Sequence, residues 1–142
     1  MLKGISPRLS PELLKTLCEM GHADTILLAD AHFPGHTLGQ RVLRADGLSV
    51  SQLLDAILPL FELEPAESAL AMMKTDSGDD AAAAVTDDCM AVVRRYSART
   101  APPARLPRQE FYERARHAYA VVMSGETRPY GNLLLTKGVT PA

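Results

Sequence analysis

The sequence predicts an α/β protein in which helices cover both faces of a mixed, largely parallel sheet. Two observations lead to this prediction. Segments with helical periodicity alternate along the chain with short apolar runs. These runs are continuously apolar and do not alternate with polar residues, as is typical of strands that are buried on both faces. Such strands need a layer of helices on each side, so we expect a three-layer α/β/α arrangement.

The composition fits one domain and argues against several classes of protein. The 142 residues, 46% of them hydrophobic and 23% charged, suit a single domain that spans residues 1–142. The net charge of −2 forces no basic face, so we expect no nucleic-acid partner. No apolar run reaches the roughly 20 residues of a membrane span, and the N-terminus lacks the apolar core of a signal peptide. We therefore expect a cytoplasmic protein without membrane contact. Cys18 and Cys89 should be buried, reduced thiols.

The first helix is predicted from its capping signal. Ser10 can cap it, Pro11 suits the first helical position, and Glu12 suits the positive end of the helix dipole. The apolar residues that then repeat at helical spacing are Leu13, Leu14, Leu17 and Met20. Gly21 should end the helix, because glycine tolerates a left-handed backbone.

Two strands and a second helix follow. Thr25–Ala29 is the first core strand, residues 30–40 form a loop, and residues 41–45 form a second short strand. We expect Ser51 to cap the second helix, which Pro59 should end near Leu58. The residues that share one face of this helix are Leu53, Leu54, Ile57 and Leu58.

The next part of the chain supplies a strand and a long helix. Residues 69–74 read as a third strand, and residues 76–80 as a polar turn around Gly78. The alanine-rich residues 80–98 favour a helix, with aspartates near its start and arginines near its end. A proline-rich stretch then forms an extended connector that ends at Arg108.

The chain closes with a helix and two strands. Residues 108–118 form the helix, residues 119–124 the strand richest in β-branched residues, and residues 133–135 a short terminal strand. Residues 125–132 form the loop between these two strands.

Three of these loops could form a site. In an α/β sheet, sites lie outside the carboxyl ends of strands, where residues 30–40, the connector before Arg108 and residues 125–132 are expected. These loops offer a carboxylate, histidines, an arginine, a phenol and an amide, which suit a polyhydroxylated ligand. Apart from the histidines, the candidates are Asp30, Arg108, Arg128, Tyr130 and Asn132. Each residue also has a simpler explanation, as a turn former, a packed aromatic or a solvated charge.

Histidines are concentrated in residues 21–36. His22 follows a helix and could transfer protons near neutral pH, although a histidine in this position is also a common helix cap. His32 and His36 have the spacing of metal ligands, and Asp30 could supply an oxygen. Proline and glycine lie between these two histidines, which argues against a regular helical metal motif.

Four segments resemble a known family. They are ISPRLSPELLKTLCEMGHADTILLADAHFPGHTLG, RADGLSVSQLLDAILPLFEL, FYERARHAYAVVMSGE and YGNLLLTKGV. Together they are similar to the L-fucose mutarotase and D-ribose pyranase family, and they favour its fucose mutarotase branch. MGH, DAHFPGH and YGN followed by KGV are distinctive in combination. The segments cover about two thirds of the chain, and the match is poor in residues 64–106.

The resemblance implies an α/β/α protomer and an isomerase that interconverts the anomers of a free monosaccharide, L-fucose. It implies a homo-oligomer, a decamer of two stacked pentamers, with sites near subunit interfaces. The acid–base histidine falls on His22. The residues that would bind the sugar are Asp30, Arg108, Tyr130, Gly131 and Asn132, and Tyr119 is a further candidate. No metal ion or organic cofactor is implied.

Three alternatives stay open. The sugar could be D-ribose or another free sugar, the protein could bind a sugar without catalysis, or Asp30, His32 and His36 could hold the metal of a hydrolase. Anomer exchange and metal analysis would separate these alternatives.

Overall fold

The computed structural model describes residues 1–65, 67, 69–76 and 79–142. Within these residues the helices are α1 (Pro11–Glu19), α2 (Gly35–Leu38), α3 (Val50–Ile57), α4 (Asp80–Tyr96) and α5 (Arg108–His117), with a 3₁₀ turn at Leu58–Leu60. The strands are β1 (Thr25–Ala29), β2 (Val42–Ala45), β3 (Leu70–Met73), β4 (Ala104–Leu106), β5 (Ala120–Ser124) and β6 (Leu133–Thr136).

The strands form one mixed sheet in the order β2-β5-β1-β6-β3-β4. β6 runs antiparallel to both of its neighbours, β1 and β3. The other three pairings are parallel. The expected mixed, largely parallel sheet is confirmed, and the carboxyl ends of β1 and β3 meet the amino end of β6 at the same edge.

Helices pack on both faces of the sheet. Alternate residues of β1 point to opposite faces: Ile26 and Leu28 join the core under α1, α3 and α4, whereas Leu27 and Ala29 join the core under α2 and α5. Ile26 to Ala29 are all fully buried, which explains their continuous apolar run. The three-layer arrangement follows from this burial on both faces.

α1 begins as predicted but ends differently. The Ser10 hydroxyl accepts a hydrogen bond from the Leu13 N–H at 3.1 Å, and Pro11 opens the helix. Met20 then leaves the helix with an extended backbone, and the left-handed residue is Ala23, with φ of 68°. The prediction that Gly21 supplies a left-handed stop was therefore wrong. The Lys137 ammonium binds the Leu17 and Met20 carbonyl oxygens, so the helix end needs no glycine motif.

The cap of α3 also differs from the prediction. Ser49, and not Ser51, is the capping residue, because its hydroxyl accepts from the Gln52 N–H while the Gln52 side chain accepts from the Ser49 N–H. This reciprocal pair is a capping box. Pro59 lies in the 3₁₀ turn that follows, so the predicted end near Leu58 is confirmed.

Two short elements were missed in the sequence. α2 is a single turn inside the expected loop 30–40, and β4 has three residues inside the proline-rich connector. Both are too short to show a periodicity. β4 is the outermost strand on one side of the sheet, a position in which neighbouring prolines are tolerated.

Some expectations about single residues can also be compared with the structure. Cys89 is buried, but Cys18 is exposed, so the expectation of two buried thiols was wrong for Cys18. It lies on the outer side of α1.

Gly78 of the expected turn lies outside the described residues. In the described part of the chain, no helix has both the length and the apolar character to cross a membrane. One domain over the whole chain stays a prediction.

Candidate active site

A cleft of about 210 Å³ opens at the edge where β1 and β3 end and β6 begins. The three loops expected to carry a site converge on it. Its polar lining comes from Asp30, His32, Arg108, Tyr130 and Asn132, and its apolar lining from Phe33, Pro34, Met73, Tyr112 and Pro129. The structure therefore brings Asp30, Arg108, Tyr130 and Asn132 together, as the sequence suggested.

Asp30 and Asn132 form reciprocal hydrogen bonds at the base of this cleft, and we call this pair the Asp30–Asn132 clasp. The Asn132 side-chain oxygen accepts from the Asp30 N–H at 2.8 Å, and the Asn132 amide donates to Asp30 Oδ2 at 2.9 Å. Asp30 Oδ2 also accepts from the Gly131 N–H at 3.1 Å, and Oδ1 accepts from the His32 N–H at 2.9 Å. Both side chains are only 3% exposed. The carboxylate is thus fixed in one orientation by three N–H donors.

The environment of Asp30 also changes its acidity. Burial raises the pKa of the carboxyl above its ordinary value, because desolvation penalises the charged form. The hydrogen bonds from His32, Asn132 and Gly131 oppose this effect in part. A carboxylate with a raised pKa is a better proton acceptor near neutral pH than an ordinary aspartate.

The loop that carries Tyr130 is held in a conformation that side chains rarely adopt. Tyr130 has φ of 62°, and a Cβ atom at Gly131 would lie 2.9 Å from the Glu126 side chain and 3.1 Å from the Arg128 carbonyl oxygen. These close contacts favour glycine at position 131, and the Gly131 N–H group faces Asp30.

Arg128 anchors this loop and is not offered to a ligand. Its guanidinium donates to both oxygens of the buried Glu126, at 2.8 and 3.0 Å, and to Asp88 at 2.9 Å. Arg128 lowers the pKa of the Glu126 carboxyl through these bonds. Arg128 is thus a structural residue of this loop.

An aromatic wall faces the clasped pair. Tyr112 lies four residues after Arg108, so both side chains share one face of α5. Phe33 packs edge-on against Tyr112, with ring centroids 5.5 Å apart, and against Phe111 at 6.1 Å. The sequence analysis missed Phe33, Tyr112 and Met73. The spacing from Arg108 could have indicated Tyr112, but nothing local marks the other two.

His32 lies at the mouth of the cleft, and His36 lies on α2. The His32 ring Nε2 is 3.0 Å from the Thr127 carbonyl oxygen, so this nitrogen carries the proton and donates. Among the described residues, no three histidine, cysteine, aspartate or glutamate side chains converge as a metal ion would require. The alternative set of Asp30, His32 and His36 is therefore not assembled.

A wider depression of about 420 Å³ lies at the start of α4. Two of its charged side chains, Asp79 and Arg105, have partners within the chain. Asp79 caps the helix by accepting from the Ala82 N–H, and Arg105 donates to the Thr86 hydroxyl. The smaller cleft is therefore the better candidate, because its buried polar groups converge on one point.

His22 and Tyr119 lie at the opposite edge of the sheet. His22 precedes β1 and Asp30 follows it, and a strand of five residues is about 16 Å long. Tyr119 precedes β5, which is parallel to β1, and its N–H donates to the Thr25 carbonyl at 2.8 Å. Its ring lies under the Arg41 guanidinium, 4.1 Å from the centroid. One chain therefore does not bring His22 or Tyr119 to the Asp30 cleft.

Comparison with known proteins identifies the family of this fold and cleft. The model of the RbsD / FucU transport protein family matches residues 3–140. The chain belongs to the RbsD / FucU transport protein family. A relative named L-fucose mutarotase, from Glaesserella parasuis serovar 5 (strain SH0165), is 51% identical over 142 residues, which cover 99% of this chain and 97% of the relative.

Two solved structures are similar to this chain over nearly its whole length. FucU from Bifidobacterium longum superposes with a TM-score of 0.91 at 39% identity, covering 98% of this chain and all of the other. The fucose mutarotase from Streptococcus pneumoniae, solved in complex with L-fucose, has a TM-score of 0.84 at 39% identity and covers 99% of this chain and all of the other. The likeness thus extends through residues 64–106, where the family resemblance was poor.

Proposed function

We propose that this chain is an L-fucose mutarotase, an isomerase that interconverts the α and β anomers of the free sugar. The observation that carries the proposal is the Asp30–Asn132 clasp, which fixes a carboxylate of raised pKa beside Arg108 in a cleft of sugar size. The names of the relative from Glaesserella parasuis and of the structure from Streptococcus pneumoniae support the same activity.

The reaction needs two proton transfers, one at each of the two oxygens bonded to the anomeric carbon C1. Asp30 takes the proton of the anomeric hydroxyl, and His22 gives a proton to the ring oxygen as the bond between C1 and this oxygen breaks. The open-chain aldehyde then rotates about C1–C2, and the same two groups act in reverse while the ring closes on the other face. Acid–base catalysis of this kind contributes about 10²–10⁴ in rate.

The remaining cleft residues hold the sugar. Arg108 and Tyr130 offer donors to the hydroxyl groups, Gly131 keeps the Asp30 carboxylate in place through its N–H, and Asn132 locks its orientation. Because these groups are already ordered, binding the sugar places its anomeric carbon in a reactive geometry at small entropic cost.

A second copy of the chain would supply His22. His22 and the Asp30 cleft lie at opposite edges of the sheet, so a complete site requires that one edge of one copy meets the other edge of the next. Tyr119 would reach the sugar along the same edge as His22. Contacts of this head-to-tail type close into rings. This geometry supports the decamer of two stacked pentamers that the family resemblance implies, and a mass measurement in solution would test it.

The apolar wall favours L-fucose over D-ribose. L-Fucose is a 6-deoxyhexose and carries a methyl group that a pentose lacks. Phe33, Tyr112 and Met73 offer an apolar surface for this methyl group opposite the polar base of the cleft. One methyl group in such a pocket is worth about 10- to 200-fold in specificity.

One observation favours a second function for the unassembled chain. The cleft of a single copy contains the sugar-binding groups but not His22, so a dissociated subunit would bind sugar without fast catalysis. A non-catalytic sugar-binding protein is therefore the alternative, and the rate of anomer exchange decides between the two.

We also propose that the reaction needs no metal ion or organic cofactor and that the protein is cytoplasmic. All proton transfers use side chains of this chain, so activity should survive a chelator. Cys18 is exposed and unpaired by disulfide, which suits the reducing cytoplasm. Cell fractionation would test this location.

Saturation-transfer NMR on L-fucose tests the proposed function. We expect fast exchange between the two anomeric proton signals, abolished by His22→Ala, and slower exchange with D-ribose. Exchange of ribose alone would change the substrate, and no acceleration of either sugar by folded protein would leave the sugar-binding alternative.

A further inference from the structure

Glu126 is a buried carboxylate that the proposed reaction does not use. Its side chain is only 5% exposed, although a glutamate is rarely buried unless a partner compensates for its charge. It lies in residues 125–132, the loop between β5 and β6, which carries Tyr130, Gly131 and Asn132 and which we call the cleft loop. The contacts of Glu126 show what this buried charge holds in place.

The backbone of Glu126 is joined to both neighbours of Asp30. The Glu126 carbonyl oxygen accepts a hydrogen bond from the Ala31 N–H at 2.8 Å. The Glu126 N–H donates to the Ser124 hydroxyl at 3.1 Å, and this hydroxyl donates to the Ala29 carbonyl oxygen at 2.6 Å. The position of Asp30 is therefore tied on both sides to the backbone of Glu126.

The carboxylate of Glu126 closes the first turn of the cleft loop. Its Oε1 accepts from the Arg128 N–H at 3.2 Å and from Arg128 Nε at 2.8 Å, and its Oε2 accepts from Arg128 Nη2 at 3.0 Å. Arg128 lowers the pKa of this carboxyl, and a hydrogen bond from the Val50 N–H at the start of α3 adds to this effect. The side chain thus joins the cleft loop to the start of a helix.

The cleft loop then passes directly over the Glu126 side chain. A Cβ atom at Gly131 would lie 2.9 Å from Glu126 Cγ, so the two residues pack closely. Tyr130, just before Gly131, has the left-handed φ of 62°. This conformation is costly for tyrosine and persists only where the surrounding contacts fix it. The bonds to Glu126 fix the loop before Tyr130, and the bond from the Gly131 N–H to Asp30 fixes it afterwards.

We infer that Glu126 is a positioning residue for anomer exchange, which holds the turn that directs the Gly131 N–H at Asp30. This inference rests on the proposed function. Among the described residues, those that line the cleft do not include Glu126, so it acts through the cleft loop and does not touch the sugar. Without the carboxylate, the strained turn would relax and the Gly131 N–H would leave Asp30 Oδ2. The base would then lose its fixed orientation toward the anomeric hydroxyl.

Glu126→Gln tests the inference, because glutamine has nearly the same size but carries no charge to hold the Arg128 guanidinium. We expect the maximal rate of L-fucose anomer exchange to fall by about 10- to 100-fold. The change in KM should be smaller, because Arg108 still faces the sugar. Hydrogen–deuterium exchange with mass spectrometry should show faster deuterium uptake in residues 128–132 and unchanged uptake in β1. A general loss of stability would instead accelerate uptake in both segments.

Two further variants separate this role from a general effect of removing a charge. Glu113→Gln removes an exposed carboxylate on α5, whose partners Arg116 and His117 lie on the same helix, and it should retain the wild-type rate and deuterium uptake. Arg128→Lys keeps the positive charge but loses the fork that binds both carboxylate oxygens. It should show the same local increase in deuterium uptake with a smaller loss of rate. If Glu126→Gln does not fold, Arg128→Lys decides the question through these two measurements.

The outcomes distinguish this inference from the proposed function. A folded Glu126→Gln protein with the wild-type rate of anomer exchange would overturn the positioning role. A slow variant in which residues 128–132 take up deuterium no faster than in the wild type would overturn it as well. A wild-type protein that does not accelerate exchange of L-fucose would instead overturn the proposed function, while the deuterium measurements would still report whether Glu126 holds the turn beside Asp30.

Discussion

The two edges of the sheet hold their polar groups in different ways. At the cleft edge, Asp30 is 3% exposed and receives three N–H donors. At the opposite edge, the His22 side chain is 58% exposed, and its ring Nε2 lies 2.6 Å from Glu64 Oε2. The first arrangement is a prepared pocket, and the second is a group that projects from the surface.

This difference indicates how the chemistry is divided. A carboxylate whose pKa is raised by burial must stay out of water to keep that property. A histidine that serves a pocket on another copy must instead protrude, with its orientation fixed from behind. Each edge therefore has the form that its proposed part in the reaction requires.

The largest expected effect comes from Asp30→Asn, which removes the buried carboxylate of the cleft. The new NH₂ group would face one of the N–H donors that now bind the carboxylate, and the base would be lost. We expect exchange of L-fucose to fall by about 10²–10⁴. Saturation-transfer NMR measures the rate, circular dichroism checks folding, and exposed Asp87→Asn on α4 is the control. A folded Asp30→Asn protein with more than a tenth of wild-type activity would remove Asp30 from the mechanism.

Arg128→Met weakens the loop of the cleft without touching the opposite edge. It removes the partner of buried Glu126, so we expect a loss of about 2 kcal/mol in the free energy of unfolding at pH 7. Exposed Arg116→Met should cost less than about 0.5 kcal/mol.

The pH dependence of this loss has a definite sign. Arg128 lowers the pKa of Glu126 in the folded state, so the pair stabilises the fold above the unfolded pKa, about 4.3. That stability is lost as the pH falls through the lower folded pKa. The difference between wild type and Arg128→Met should therefore shrink below about pH 4 in urea titrations. A difference that is constant from pH 7 to pH 3 would show that the charge pair is not its source.

Tyr112→Ala tests which residues give the cleft its preference for L-fucose. The variant removes part of the apolar wall, so the preference for L-fucose over D-ribose should fall by about tenfold, with a smaller effect on ribose itself. Exchange rates for both sugars measure the ratio, and Arg116→Met, also on α5, is the control. An unchanged ratio of the two exchange rates would mean that another surface contacts the methyl group of L-fucose.

Ala23→Gly has the smallest expected effect on stability, and it changes the segment that carries His22. The left-handed backbone at Ala23 costs about 1–2 kcal/mol for alanine, but glycine also loses about 0.4–1 kcal/mol through its more flexible unfolded state. We expect the free energy of unfolding, measured by thermal denaturation, to increase by about 0.5 kcal/mol. Ala83→Gly in α4 should instead lose about 1 kcal/mol. A loss at Ala23 equal to that at Ala83 would contradict the strained backbone.

Local patterns predicted much of the fold. The apolar run of β1 gave its bounds correctly, because its residues are buried on both faces. The N-cap of α1 and the start of α5 also follow from local chemistry. β4 could not be predicted, since its three residues owe their extended form to pairing with β3.

The site was predictable as a set of residues but not as a geometry. The loop composition and the family motif indicated Asp30 and Asn132, yet the clasp between them joins residues that are 102 positions apart. The same is true of the contact between His22 and Glu64, which lie 42 positions apart. Glu64 also lies in the part of the chain where the family resemblance was poor. By contrast, the separation of His22 from Asp30 follows from the strand between them, whose bounds the sequence predicted.

Subunit complementation tests directly whether the two edges meet between copies. His22→Ala and Asp30→Asn chains, carrying different tags, would be co-expressed and the mixed oligomers purified through both tags. If the site joins two copies, about one quarter of the sites in a random mixture regain both groups, and L-fucose exchange returns to a similar fraction of the wild-type rate. Mixed oligomers that form but stay as inactive as either parent would contradict a site shared between copies.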